Sequence, residues 1–177
     1  KMPKNKYKIQ DDVKIGREGS AEAEKVFPII TDAQMSQYIE NVGRKLVNAI
    51  PSQFQQSAFQ YRFKIINARD INAFALPGGP MYINRGMIEA ARSEGEMAGV
   101  MAHEISHVAL RHGTAQATKG QKYGLLAGIA GIAGTILTGN QGVGQLAQAP
   151  FAVYMLKFSR EYETEADVLG AQILARA

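Results

Sequence analysis

The residues best placed to do chemistry are His103-Glu104-Ile105-Ser106-His107. On a helix of 3.6 residues per turn, positions i and i+4 lie nearly above one another. Both imidazoles can then reach one metal ion from one helical face. Glu104 sits one step round the helix, close enough to take a proton from a water on that metal. This HExxH pattern is the zinc-hydrolase arrangement, with His103 and His107 as metal ligands and Glu104 as the catalytic general base. The same letters also arise on ordinary amphipathic helices as two surface histidines, so their setting matters.

That setting reads as a helix. Ser93 can act as N-cap, and Glu96 three residues on completes a capping box. Met97, Val100, Met101, Ile105 and Val108 recur at helical spacing as an apolar stripe. Arg111 and His112 fall in the last turn, where positive charge suits the dipole, and Gly113 is a natural residue just past the end. The helix would run for about five turns. His112, five residues past His107, points away from the ligand face and reads as a helix-end residue.

Two ligands do not make a catalytic zinc site, which needs three from the protein and an open fourth position. All three histidines lie in this stretch and there is no cysteine, so the third ligand must be Asp or Glu. The candidates lie in Ser159-Arg160-Glu161-Tyr162-Glu163-Thr164-Glu165-Ala166-Asp167. Glu163 and Asp167 are again i and i+4 on an expected helix. Glu163 could ligate while Asp167 accepts a hydrogen bond from the free ring nitrogen of a ligating histidine, fixing its tautomer. By spacing alone Glu161 and Glu165 compete for the role, and a solvated acidic face is the plain alternative.

Four stretches, Gly16-Arg17-Glu18, Asn72 through Gly79, His103 through Gly113 and Ser159 through Asp167, together resemble family forty-eight of the metallopeptidases. That group contains the HtpX-like and CAAX-prenyl-protease-like zinc endopeptidases, and the match is to its soluble bacterial type. The resemblance implies an α+β, mostly helical, zincin-like fold of gluzincin type, with a small β-sheet over the HExxH helix. It implies one Zn2+ per chain, with His103, His107 and Glu163 as metal ligands and Asp167 as the carboxylate behind a ligand. It also implies that Asn72 and Ala73 help hold the substrate. In some members a later histidine approaches the metal, whereas none follows His112 here.

Zinc would lower the pKa of its water to about 7 and polarise the substrate carbonyl. Glu104 would accept the water's proton and pass it to the leaving amine. The oxyanion needs one further donor. Tyr154, Arg160 and Tyr162 lie in the right region, and nothing in the sequence selects among them.

Other elements must position these groups. Tyr61 to Ile66 alternates and is rich in aromatic and β-branched residues, so it reads as a strand. Ala73–Leu76 and Met81–Ile83 read as two short strands joined by the turn Pro77-Gly78-Gly79-Pro80. An edge strand over the metal can pair with an extended protein or peptide substrate, a sequence-tolerant mode of recognition; a plain hairpin covering the helix is the other reading. Asp11 or Asp12 would start a first helix running to about Phe27, and Thr31 or Asp32 a second through Ile50. Residues 1–10, with four lysines in the first eight, read as a flexible arm suited to peripheral contact with anionic lipid, although a few lysines are ordinarily just solvated.

Gly124 to Leu137 is an apolar run broken by Gly128, Gly131 and Gly134, followed by a loop from Gly139 to Gly144. It is shorter than the ~20 residues that span a bilayer. Residues 124–149 read as a lid or hairpin near the cleft, with a buried helix as the alternative. The 177 residues fit a single catalytic domain. A formal charge of +4, without a basic stripe carrying aromatics, excludes nucleic acid as a natural partner. The lack of cysteine suits a periplasmic or a cytosolic compartment. Exported relatives favour a periplasmic or envelope-associated place, with the chain read as trimmed of its signal segment. The expected function is zinc-dependent endopeptidase action on misfolded or envelope proteins. The alternative is a chaperone or scaffold for envelope protein assembly with latent protease activity. An intact Glu104 argues against a purely structural zinc site.

Overall fold

The computed structural model describes residues 1–119 and 158–177; the expected lid at 124–149 and Tyr154 lie outside them. The described chain is mostly helical with one small mixed sheet. Helix α1 spans Ile9–Val26. It starts earlier than Asp11 because the Asp11 carboxylate reaches back to accept the Lys8 N–H at 2.7 Å, the role of a third helical residue. Helix α2 spans Ala33–Asn48, capped as expected by Asp32, whose Oδ1 accepts the Met35 N–H at 2.8 Å.

Four strands follow the sequence pattern with one addition. A two-residue β1, Ile29–Ile30, pairs antiparallel with β2, Arg62–Ile66. Strand β2 runs parallel to β4, Pro80–Asn84, and β4 pairs antiparallel with β3, Ala73–Ala75. The spatial order is β1-β2-β4-β3, so β3 is an edge strand among the described residues. The β3–β4 turn needs its glycines: Gly78 and Gly79 have φ of 83° and 123°, where a Cβ is strained.

Strand alternation divides the core between two faces. Phe63, Ile65, Met81, Ile83 and Ala73 pack with α2 and with helix α4, Glu94–Ala109. Ile66, Phe74, Leu76 and Tyr82 point the other way and meet Ala23 of α1 and Phe27 just past its end. Gly16 brings α1 against the β3–β4 turn, since a Cβ there would lie 2.1 Å from the Pro77 carbonyl oxygen. A short helix α3, Arg85–Ala90, follows β4. No helix among the described residues is long and apolar enough to cross a membrane.

The HExxH helix differs from expectation at both ends. Ser93 Oγ accepts the Glu96 N–H at 3.2 Å, as predicted. Glu96, however, reaches past Ser93 to accept the Arg92 N–H at 2.8 Å, so only half of the capping box forms. The helix ends at Ala109, and the left-handed position is Arg111, with φ 58° and ψ 37°, not Gly113. The chain reverses there into a separate helix α5, His112–Thr118. A left-handed arginine costs roughly 1–2 kcal/mol, and its side chain offsets this. Arg111 Nη2 donates to Asp12 Oδ1 at 2.8 Å and Nε to Oδ2 at 3.2 Å. It also donates to the Tyr7 carbonyl at 2.7 Å. The expected N-terminal arm is therefore tied down at residues 5–7: Asn5 Nδ2 also donates to Thr114 Oγ1 at 2.7 Å, and the Lys6 N–H donates to Thr118 Oγ1 at 3.0 Å.

Candidate metal centre

The last helix, α6, spans Arg160–Arg176 and is capped by Ser159, whose Oγ accepts the Tyr162 N–H at 3.3 Å. It lies along α4, and Gly170 permits the approach. A Cβ on Gly170 would stand 3.2 Å from the His103 backbone nitrogen and 3.3 Å from the Ala102 carbonyl carbon, tighter than packing readily accepts. Two turns before Gly170, Glu163 is thereby brought to the histidines. Its Oε2 lies 3.2 Å from His103 Nε2, and its Oε1 lies 3.6 Å from His107 Nε2. The two Nε2 atoms are 3.1 Å apart.

These distances, 3.1–3.6 Å with a different Glu163 oxygen facing each ring, are close to those of a metal site. A tetrahedral zinc with bonds of about 2.0–2.2 Å sets its ligand atoms about 3.3–3.6 Å apart. The donor chemistry agrees. His103 Nδ1 donates to Asp167 Oδ1 at 2.8 Å; a carboxylate only accepts, so in the neutral ring Nε2 carries a bare lone pair. That lone pair faces a carboxylate and a second imidazole. Close-set acceptors of this kind repel one another unless a cation lies among them. Among the described residues, His103, His107 and Glu163 are the group of metal-ligating side chains close enough to share an ion. Glu161 and Glu165, the competing acids, are used elsewhere: Glu161 lies 3.6 Å from Lys119 Nζ, and Glu165 accepts from His112.

The electrostatics follow from burial. His107 is 6% exposed; burial first, then the neighbouring His112 and His103, holds its pKa down at about 2, so it stays neutral as a ligand must. Burial, then the charge of Glu163, pushes the Glu104 carboxyl up to about 8. A cation among the three acceptors works against that second effect. Glu104 itself is half-buried on α4, beside His103 in sequence.

Asn72 and Ala73 open the edge strand. The Asn72 carbonyl accepts the Asn84 N–H at 3.0 Å, and the Leu76 N–H donates to the Pro80 carbonyl at 2.8 Å. Even-numbered residues of β3 therefore face β4, while the backbone groups of Ala73 and Ala75 face the outer edge. The Asn72 Oδ1 accepts the Ala73 N–H at 2.9 Å, occupying one edge donor. Of the oxyanion candidates, Tyr162 is 1% exposed and stacked on His112, away from an open cleft. Arg160 is exposed at the start of α6.

Sequence reasoning misplaced His112. Because the helix breaks at Arg111, His112 turns back toward His107. Its Nδ1 lies 2.8 Å from His107 Nδ1, and its Nε2 lies 3.0 Å from Glu165 Oε2. It is fully buried. Helical spacing could not show this, because it assumes a helix that continues. The unusual signal was a third histidine within five residues of the second in a chain that has no others.

A model of peptidase family M48 matches residues 33–177. The chain is 35% identical over 156 residues to the putative beta-barrel assembly-enhancing protease of Vibrio cholerae. It is 33% identical over 168 residues to the beta-barrel assembly-enhancing protease of Escherichia coli. Both alignments cover 85% of this chain and 31% of the relative, so the chain spans under a third of their length. It is also 30% identical over 146 residues to the mitochondrial metalloendopeptidase OMA1 of Saccharomyces cerevisiae, covering 78% of this chain and 41% of that protein.

Proposed function

The chain belongs to peptidase family M48, and from that premise we propose that it is the catalytic domain of a zinc-dependent endopeptidase with a zincin-like, gluzincin-type centre. One observation carries the reading: three metal-ligating side chains from two helices converge, with the two Nε2 atoms 3.1 Å apart and a Glu163 oxygen 3.2 Å from one and 3.6 Å from the other. His103, His107 and Glu163 would hold the ion. When bound, zinc polarises the scissile carbonyl and makes water acidic enough to lose its proton near neutral pH. Glu104 accepts the proton of the attacking water at its carboxylate and returns it to the leaving amine. Asp167 keeps the proton of His103 on Nδ1, which fixes that ring's orientation.

The substrate we propose is an unfolded or misassembled protein bound as an extended strand. The outward-facing Ala73 carbonyl and the backbone groups of Ala75, on an edge strand packed beside α4, support this. Backbone pairing of this kind is tolerant of sequence. Two relatives are named for β-barrel assembly, and on that ground an envelope location, periplasmic and close to assembling β-barrel proteins, is part of the proposal. The mitochondrial relative places the same family in another compartment.

The test is cleavage of casein by the zinc-loaded chain beside Glu104→Gln. The amide cannot accept the proton, so the variant should keep its zinc while turnover falls by ~10²–10⁴-fold. Undiminished cleavage in the variant removes Glu104 as the base. Zinc binding without cleavage by either chain favours a scaffold that only holds client strands.

A further inference from the structure

We propose that His112 and Glu165 act as a positioning pair that sets the proton of His107 on Nδ1 and so presents its Nε2 to the metal. The inference rests on the reading of His103, His107 and Glu163 as ligands. Ligation through Nε2 requires the His107 proton to be on Nδ1. That nitrogen faces His112 Nδ1 at 2.8 Å, so His112 Nδ1 must accept. The single proton of a neutral His112 is then on Nε2, which faces Glu165 Oε2 at 3.0 Å. The carboxylate ends the series because it has no proton to give. Each of the three groups thus has one consistent role.

The surroundings hold these groups in place. The His112 ring lies flat on Tyr162, with centroids 4.4 Å apart and planes 3° from parallel. The His107 ring stacks on Phe158 at 4.2 Å and 18°. Tyr162 and Glu165 are i and i+3 on α6, so the stacking partner and the acceptor share one helical face. Glu163 and Asp167, i and i+4, share another. Helix α6 therefore supplies a ligand and a carboxylate for each ligating histidine, reaching His103 directly and His107 through an intervening imidazole.

The opposite arrangement is chemically distinct. A doubly protonated His112 would donate to His107 Nδ1 and drive the His107 proton to Nε2, where it blocks ligation. Long-range nitrogen–proton NMR on the histidine-labelled chain, stripped of metal by chelator, separates the two. We expect His107 to be protonated on Nδ1; protonation on Nε2 overturns the proposal whether or not the chain binds zinc. Zinc affinity, measured by chelator competition, is the second readout. His112→Phe keeps the ring on Tyr162 but removes the acceptor, and affinity should fall by ~10–100-fold as His107 loses its Nδ1–H preference. His112→Asn restores an oxygen near the former Nδ1 and should recover most of that loss. Wild-type affinity and tautomer in His112→Phe would overturn the pair. If circular dichroism shows that variant unfolded, Glu165→Ala decides. Its side chain is about one-third exposed (32%), and it should lower affinity several-fold and leave His112 as a tautomer mixture; no change in either rejects the inference. A wild-type chain that binds no zinc would instead refute the ligand assignment, leaving the tautomer measurement to judge the pair.

Discussion

Glu163 is the residue on which the proposed metal centre would turn, because its carboxylate faces the Nε2 atoms of both imidazoles. Glu163→Gln should lower zinc affinity by more than the roughly 10–100-fold that follows loss of an outer hydrogen-bond partner. Chelator competition would show it, and an unchanged dissociation constant would return the search to Glu161 or Glu165. The HExxH pair was legible because i and i+4 on a helix fix two side chains without reference to the rest of the fold. Glu163 was not legible from spacing: three acids lie within five residues, and only the packing of α6 on α4 separates their directions. His112 was hidden by a left-handed turn at an arginine, a residue whose type does not announce one.

At the scale of elements, capping chemistry and strand alternation located α1, α2, α4, β2, β3 and β4 to within a few residues. They did not reveal β1, α3 or α5, which are short and are held by tertiary contacts more than by local pattern. The N-terminus of α4 supplies a pH test. Hydrogen bonds from the Arg92 N–H, and then from its side chain, hold the Glu96 carboxyl below its ordinary value of 4.5. A depressed acid stabilises the fold where it is ionised in both states, above the unfolded value, and loses that effect as pH falls through the folded value. The melting-temperature gap between wild type and Glu96→Gln should therefore be widest near neutrality and shrink below about pH 4.5. A gap independent of pH would show that the carboxylate charge contributes nothing to the cap.

Across the whole molecule, an ion at the centre would tie α4 to α6 across more than fifty residues of sequence. Zinc at 100 times its dissociation constant should add about 2.7 kcal/mol, or roughly 5–11 °C for a domain of this size. Calorimetry with and without chelator would measure it, and identical melting curves would deny the ion that linking role. The helices around the proposed metal site also depend on the other end of the chain. The family match begins at residue 33, whereas the Arg111 guanidinium that secures the entry to α5 is neutralised by Asp12. Those side chains are 11% and 1% exposed. A fragment cut at residue 33 keeps every proposed ligand but loses Asp12 and the Tyr7 carbonyl, which hold Arg111, and the core residues Ala23 and Phe27 that cover one face of the sheet. We expect that fragment to bind zinc poorly and to melt early by circular dichroism. The boundary that similarity draws and the smallest piece able to keep its shape are then two different lengths of the same polypeptide.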